Sequence, residues 1–283
     1  MAFDAARGVV LSFGGYASGA WGNETWAWDG ATWRRLNPIH RPGPRFGASM
    51  AYDPVTERVV LYGGALFDPY RFFDETWTWD GADWDLVRVP SGPRPSVYHP
   101  MAYDPISRRV LAMAGGAEGE QFWSWDGSAW NPIATPVGPY PGSSVYPSTL
   151  AYDSVTRKML LFTNWGEPTT WLWDRSTWAR ITGVSPPSVA HSSFGMATMT
   201  ANGTVVMYGG TGGADTWIWN GSTWEMRPRV PGSPPAVGTR ELGWYRAALA
   251  YDAARNEVVM VDINGSTWAW DGYAWRLRAD AGL

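Results

Sequence analysis

A tryptophan triplet recurs six times along this chain and constrains the fold more than any other feature. Each copy has the spacing Trp-x-Trp, then four intervening residues, then a third Trp. Six copies hold 18 of the 21 tryptophans: Trp26, Trp28, Trp33; Trp77, Trp79, Trp84; Trp123, Trp125, Trp130; Trp171, Trp173, Trp178; Trp217, Trp219, Trp224; and Trp268, Trp270, Trp275. Such regular recurrence predicts a repeat architecture, in which each repeat packs its apolar face against its neighbours.

Each repeat contains four short runs that are typical of β-strands, here called a, b, c and d in chain order. In the second repeat, strand a covers residues 50–53 and strand b covers residues 58–62. Strand c contains Trp77 and Trp79, whose period of two places both indoles on one face of the strand. Strand d begins at Trp84.

Glycines mark the turns between these strands. The Asp-Gly pair after strand c indicates a tight hairpin, because Gly accepts a positive φ. The pair Gly63-Gly64 after strand b allows the backbone to bend, or to approach a neighbour where a Cβ would clash. Six repeats of four strands predict an all-β fold, a six-bladed β-propeller of four-stranded antiparallel blades. We predict one domain, 1–283, with blades at about 1–36, 48–88, 99–134, 148–182, 195–228 and 247–279.

In these residues the chain resembles the kelch family, whose repeats share the Gly-Gly pair after strand b and an aromatic pair downstream. The resemblance extends over essentially the whole chain and implies a propeller. Kelch proteins include oxidases, sialic acid epimerases, specifier proteins of glucosinolate breakdown and protein-binding scaffolds, so the resemblance implies no single activity. The galactose oxidase type of kelch site is excluded, because it needs a Tyr–Cys crosslink and this chain has no cysteine.

A few repeats depart from the common pattern, and these positions test how the pattern works. Two repeats lack the Gly-Gly pair, one lacks the turn glycine after strand c, and one lacks the Asp that ends strand a. The residues found there are Thr163-Asn164, Asp262-Ile263, Arg175 and Met199. Strand a of the first repeat lacks the segment that precedes it elsewhere, so we expect that strand to be short.

Composition narrows the classes of partner. The chain has 22 Lys and Arg against 26 Asp and Glu, a net charge of −4. This balance disfavours nucleic acids and anionic membrane surfaces, which attract basic proteins. The lack of cysteine excludes disulfides, thiolate metal ligands and a cysteine nucleophile. The sequence enters directly into the first repeat, so we expect no secretory leader in it, and the compartment is left open.

One end of the blades is predicted to carry the function. The b–c loops and the d–a crossings lie at that end, because strands alternate in direction, and these segments vary most in length and content. They contain all three histidines and the three tryptophans outside the triplets. The predicted ligand-binding residues are Trp21, Arg45, Tyr98, His99, Tyr146, Trp165, Arg240, Trp244, Tyr245 and Arg246.

The leading functional hypothesis is a recognition module that binds a small polar molecule, a glycan or a peptide at this face. A second hypothesis is a metal-independent enzyme of the isomerase, lyase or cyclase type, with Glu241 or His191 as proton carrier. No cofactor or metal is predicted, although His99 and His191 could converge with Glu241 or Asp262.

A third hypothesis is a protein-interaction scaffold. The loops of the first two blades carry residues that are expected to form an exposed apolar cluster: Trp21, Phe67, Tyr70, Phe72 and Phe73. Exposed aromatic clusters are typical of protein interfaces.

Overall fold

The computed structural model describes residues 1–17, 20–67, 69–114, 121–135, 138, 148–165, 167–184, 187, 194–209, 215–235, 247–262 and 264–280. Regular structure within these ranges consists of β-strands, and no helix occurs in them. Six four-stranded antiparallel sheets are the blades of a β-propeller, which confirms the predicted fold class. Contacts divide the chain into two compact units, residues 1–29 with 33–146 and residues 30–32 with 147–283. Each unit is described by itself below.

The first unit contains three blades, and two of them carry an additional two-stranded hairpin in the b–c loop. Blade 1 consists of β1 (Ala2–Asp4), β2 (Val9–Phe13), β5 (Thr25–Trp28) and β6 (Trp33–Leu36), with the hairpin β3 (Tyr16–Ala17) and β4 (Ala20–Trp21). Blade 2 consists of β7 (Ser49–Asp53), β8 (Arg58–Tyr62), β11 (Thr76–Trp79) and β12 (Trp84–Val87), with the hairpin β9 (Ala65–Phe67) and β10 (Tyr70–Phe72). Blade 3 consists of β13 (Met101–Asp104), β14 (Arg109–Ala114), β15 (Gln121–Trp125) and β16 (Trp130–Ile133). As expected, the first strand is short.

The second unit contains the other three blades. Blade 4 consists of β17 (Ser148–Asp153), β18 (Lys158–Trp165), β19 (Glu167–Trp173) and β20 (Trp178–Arg180). Blade 5 consists of β21 (Gly195–Met199), β22 (Thr204–Tyr208), β23 (Thr216–Trp219) and β24 (Trp224–Arg227). Blade 6 consists of β25 (Ala248–Asp252), β26 (Glu257–Val261), β27 (Thr267–Trp270) and β28 (Trp275–Ala279).

The third tryptophan of a triplet joins two successive blades. Trp84 is fully buried in blade 2, and its Nε1 donates a hydrogen bond to Thr25 Oγ1 of blade 1 at 2.9 Å. Its ring also meets Phe13 of blade 1 edge to face, with centroids 5.6 Å apart. The same hydrogen bond recurs between Trp130 and Thr76, Trp224 and Thr170, and Trp275 and Thr216. These tryptophans therefore form the core between blades, because each indole is buried with its single donor paired.

The Gly-Gly pair ends strand b. In blade 2, Gly63 and Gly64 have φ angles of 73° and 93°, and a Cβ on Gly64 would lie 2.9 Å from the Phe46 carbonyl oxygen. The backbone turns there and forms β9 and β10 instead of continuing the blade. In blade 4, Thr163-Asn164 replaces the glycines, and the β18–β19 ladder continues to Trp165. The b–c loops thus take their shape from the residues at these two positions.

In blade 4, the Asp that ends strand a is bonded to the next blade. Asp153 of blade 4 accepts a hydrogen bond from Trp219 Nε1 of blade 5 at 2.9 Å. Met199 occupies the equivalent position in blade 5, and among the described residues the indole nitrogen of Trp270 in blade 6 has no partner. Trp125 of blade 3 is also without a partner among the described residues although Asp53 ends strand a of blade 2, so an Asp at this position does not by itself form the bond.

Candidate functional site

The structure describes the side chains of four predicted ligand-binding residues, Trp21, Arg45, Tyr98 and His99. All four lie in the first unit. Trp165 lies at the end of β18, where only its backbone is described. The other predicted site residues, including both catalytic candidates, lie outside the described residues: Tyr146, His191, Arg240, Glu241, Trp244, Tyr245 and Arg246.

Five aromatic side chains from the first unit form a continuous series, here called the aromatic row. The row consists of Trp21, Phe46, Phe67, Tyr70 and Phe72. Ring centroids are 4.8 Å apart for Trp21 and Phe46, 4.4 Å for Phe46 and Phe67, 6.1 Å for Phe67 and Tyr70, and 5.1 Å for Tyr70 and Phe72. Contacts at these distances stabilise aromatic pairs beyond the burial of their area.

The aromatic row is exposed along the hairpin and anchored at Phe46. The exposed fractions are 44% for Phe67, 64% for Tyr70 and 40% for Phe72, whereas Phe46 is 6% exposed. A contiguous exposed group of this kind marks an interaction surface more strongly than scattered apolar residues do.

Register explains why the aromatic row lies on one face of the hairpin. Tyr70 pairs with Phe67 and Phe72 pairs with Ala65, and side chains of paired residues point to the same face. Phe46 joins the other edge of β9 through two hydrogen bonds of 2.9 Å with the backbone of Ala65. The d–a crossing before blade 2 and the b–c hairpin of blade 2 are thus fixed to each other.

Arg45 supports the aromatic row from below. Its side chain is fully buried, and its guanidinium donates hydrogen bonds to the carbonyl oxygens of Gly43 and Gly63, both at 3.1 Å, and to Glu75 Oε2 at 2.6 Å. Trp77 Nε1 donates to the same Glu75 oxygen at 3.0 Å. Burial and satisfied donors give Arg45 a supporting role, and its contact with a ligand stays a prediction.

Burial acts on the pKa values of Arg45 and Glu75 in opposite directions, because it disfavours the charged form of each group. Burial lowers the pKa of the Arg45 guanidinium, and the hydrogen bond with Glu75 opposes that change. Burial acts to raise the pKa of Glu75, but the hydrogen bonds from Arg45 and Trp77 outweigh it, so the pKa of this carboxyl lies below its ordinary value. Glu75 is therefore held as a carboxylate next to the buried cation.

The prediction that Phe73 belongs to the exposed apolar cluster is wrong. Phe73 is only 7% exposed, and its ring lies between two guanidinium groups, with Arg45 at 3.9 Å and Arg71 at 4.9 Å from its centroid. Its neighbour Phe72 points to the opposite face of the chain. Successive side chains of an extended segment point to opposite faces, so Phe72 and Phe73 lie on different sides although they are adjacent in sequence.

Tyr98 adopts a backbone conformation that the repeat does not require. Its φ is 56°, and its amide donates a hydrogen bond to the Gly47 carbonyl oxygen at 2.6 Å. Four other non-glycine residues with positive φ, Glu57, Arg108, Arg157 and Asn256, occupy equivalent positions in the a–b turns. The left-handed conformation is costly for an aromatic residue, and such strain is concentrated at functional sites. It places the ring 6.4 Å from Phe46, beside the aromatic row.

We expect Tyr98→Gly to be about 1 kcal/mol more stable than Tyr98→Val, because glycine accepts this φ and a β-branched residue does not. Urea denaturation of the two variants measures the difference. Tyr103 is the matched control, since it lies in β13 with extended backbone, and there the Val variant should be the more stable one. Equal stability of the two Tyr98 variants would show that the left-handed backbone at this position is not strained.

His99 lies beneath the same loops and is 3% exposed. Its Nδ1 lies 2.9 Å from the Met113 carbonyl oxygen and donates to it, so the neutral ring leaves Nε2 as an acceptor. Nε2 has no hydrogen-bond partner among the described residues. Burial lowers the pKa of His99 to about 4, and the bond to Met113 opposes this only partly. His99 is thus a neutral, buried group at neutral pH.

A polar cleft of about 340 Å³ lies beside these residues, between Asp74 and residues 89–95. Tyr62 lines its inner wall and donates its hydroxyl hydrogen to the Pro93 carbonyl oxygen. The equivalent Tyr208 in blade 5 bonds Pro234 and Pro235 in the same way, at 3.0 Å each. In blades 2 and 5, this tyrosine therefore bonds the segment that follows strand d.

Phe46 and Glu75 are central to the site but were not among the residues predicted from the sequence. Their signal was weak: Phe46 follows a predicted site residue, and Glu75 comes two residues before Trp77. In the described part of the chain, no group of three His, Cys, Asp or Glu side chains is arranged to hold a metal ion. The same part contains no helix with the length and apolar character needed to cross a membrane.

Comparison with known proteins adds no assignment to this geometry. No family model matches the chain, and no curated protein matches it.

Proposed function

We propose that this chain is a kelch-type recognition module that binds a peptide segment of a partner protein at the aromatic row. The exposed part of the row on β9 and β10 carries the proposal. The kelch assignment is supported by six four-stranded blades and by the Gly-Gly pair that ends strand b in blade 2.

Composition and support of the row favour a protein partner. Tyr, Trp and Phe are enriched at the centres of protein interfaces, where single residues contribute much of the binding free energy. The row is also held in place before binding, because Phe46 pairs with Ala65 and Arg45 bonds the turn at Gly63. A surface that is already ordered loses little conformational entropy when a partner binds.

The way the rings stack favours a peptide over a glycan. Phe46 and Phe67 lie at an interplanar angle of 15°, so each covers a face of the other. A sugar ring stacks on a free aromatic face, but Phe67 and Tyr70 also stack on each other, at an interplanar angle of 25°. Aliphatic side chains of a peptide can instead pack against the exposed parts of these rings. A glycan ligand and the enzyme hypothesis with Glu241 or His191 stay predictions.

The test is binding to a displayed library of random decapeptides, followed by affinity measurements with selected peptides. We expect Phe67→Ala/Tyr70→Ala to weaken binding at least about thirty-fold, the effect of losing about 2 kcal/mol at an interface centre. Tyr273→Ala is the matched control, since Tyr273 is 90% exposed and lies in blade 6, and it should leave binding unchanged. Selected peptides that bind the double variant as well as wild type would overturn the proposal, as would binding of glycans alone.

A further inference from the structure

Within the part of the chain that the structure describes, one edge of β10 pairs with no other strand. Its sheet contains only β9 and β10, and the far edge of β9 is occupied by Phe46. In an antiparallel ladder, successive residues direct their N–H and C=O groups to alternate sides. Ala65 directs its groups to Phe46, so the opposite pair, Ala65 with Phe72, exchanges no hydrogen bonds. Phe72 therefore directs its N–H and C=O away from β9.

The amide of Phe73 supports this alternation. It donates to the Gly64 carbonyl oxygen at 2.9 Å, so the residue after Phe72 directs its amide toward the β9 side of the hairpin. Phe72, which directs its backbone groups outward, also belongs to the aromatic row, and Tyr70 adds a second ring of the row on the same strand. An added strand would find hydrogen-bonding groups and apolar contacts at the same positions.

Residue types along β10 differ from those of the blade edges. The outer strands β6, β12 and β24 carry exposed charges at Arg34, Asp85 and Arg227 within or at the end of the strand. β10 also carries an exposed charge, Arg71, but this side chain lies on the face opposite Tyr70 and Phe72, so the aromatic face of the strand is uncharged.

Arg71 supplies charge at this edge. Its side chain is 62% exposed and lies 3.9 Å from Glu75 Oε1, while Arg45 holds the other oxygen of that carboxylate at 2.6 Å. Glu75 is thus shared between two guanidinium groups, which leaves one positive charge uncompensated within this trio. Asp74 contributes a negative charge nearby, but it lines the cleft that contains Tyr62.

We propose that the partner segment binds as an extended strand paired to the free edge of β10, with the sequence pattern apolar–acidic–apolar. This inference rests on the proposed function and names its binding mode. Residues opposite Tyr70 and Phe72 direct apolar side chains onto the aromatic row, and the residue between them directs a carboxylate to the face of Arg71. Main-chain hydrogen bonds give affinity in this mode, and alternate side chains give specificity.

The first test is made on the peptide. A peptide selected from the decapeptide library is synthesised with one N-methylated amide at each position in turn, which removes a single donor at a time. We expect losses of about five-fold at alternate positions, because only every second amide faces β10. N-methylation without effect at any position, or a selected peptide with proline at its centre, would overturn strand addition.

The second test is made on the protein. Phe72→Pro and Phe72→Ala both remove the ring, but only the proline removes the outward N–H, which the hairpin itself does not use. We expect Phe72→Pro to bind about five-fold more weakly than Phe72→Ala. Arg71→Glu should weaken binding about three-fold and lower the fraction of acidic residues among selected peptides. Equal affinities of the two Phe72 variants would contradict pairing of the partner with the free edge of β10.

These outcomes separate the two proposals. If Phe67→Ala/Tyr70→Ala abolishes binding while N-methylated peptides and Phe72→Pro bind normally, the aromatic row is the site but the partner does not add a strand. If the double variant binds normally, or if the library yields no peptide, the proposed function itself is wrong.

Discussion

Replacing Arg45 with methionine is expected to lower the free energy of unfolding by about 3–5 kcal/mol, the range for breaking a buried ion pair by removing one partner. Methionine keeps the unbranched apolar stem, so the change isolates the guanidinium. Its loss removes the guanidinium donor of the Gly63 carbonyl oxygen and leaves the Glu75 carboxylate with only Trp77 Nε1 and the more distant Arg71. Urea denaturation at pH 7 measures the difference in free energy.

Two further variants test the cause of this effect. Arg41 is exposed, so Arg41→Met should change stability by less than about 0.5 kcal/mol. Adding Glu75→Gln to Arg45→Met should recover part of the loss, because the carboxylate that has lost its buried cation is then neutral. If the double variant is less stable than wild type by the sum of the two single-variant losses, the two residues are not coupled and the ion pair is not the cause.

The same variant tests how the aromatic row is supported. Arg45 bonds the turn at Gly63 that starts the hairpin, and its guanidinium covers the ring of Phe73. We infer that the exposed aromatic residues keep their positions because a charged group is buried beneath them. The strands β9 and β10 have three residues each, and an isolated hairpin of this size is only marginally stable. Contacts from outside the hairpin, such as those of Arg45, are therefore needed to hold its aromatic residues in place.

Local patterns in the sequence were sufficient to predict the blades. Trp77 and Trp79 show the period of a strand, and the glycines mark its turns, so each blade can be recognised without reference to distant residues. The structure confirms six such blades. The departures were also informative, because the replacement of Gly-Gly by Thr163-Asn164 extends the β18–β19 ladder.

The site depended on contacts that no local pattern contains. Arg45 and Glu75 are thirty residues apart, and their pairing decides that Arg45 is buried and not free to face solvent. The hairpin strands β9 and β10 have three residues each, which is too short to show the two-residue alternation of a strand. The sequence therefore predicted a loop there. The left-handed φ of Tyr98 has no signature in residue type, because tyrosine rarely adopts it.

Lowering the pH from 6.5 to 4 is expected to cost wild type about 3 kcal/mol of stability through His99 alone, since each pKa unit corresponds to about 1.4 kcal/mol. Burial lowers the pKa of His99 to about 4, whereas the ordinary value of 6.5 applies after unfolding. Between these values the unfolded chain binds the additional proton, so stability falls as pH falls. The contribution is complete above pH 6.5 and is lost at about pH 4.

The physical reason lies in the surroundings of the ring. Nδ1 donates to Met113, and Nε2 lies near the α-carbon of Gly63 without an acceptor among the described residues, so a proton on Nε2 would be buried unpaired. Urea denaturation at several pH values should give a shallower decline for His99→Gln than for wild type. His40→Gln is the control, because His40 is exposed and should leave the decline in place. Parallel curves for His99→Gln and wild type, or an NMR titration of His99 centred near pH 6.5, would refute the buried neutral histidine.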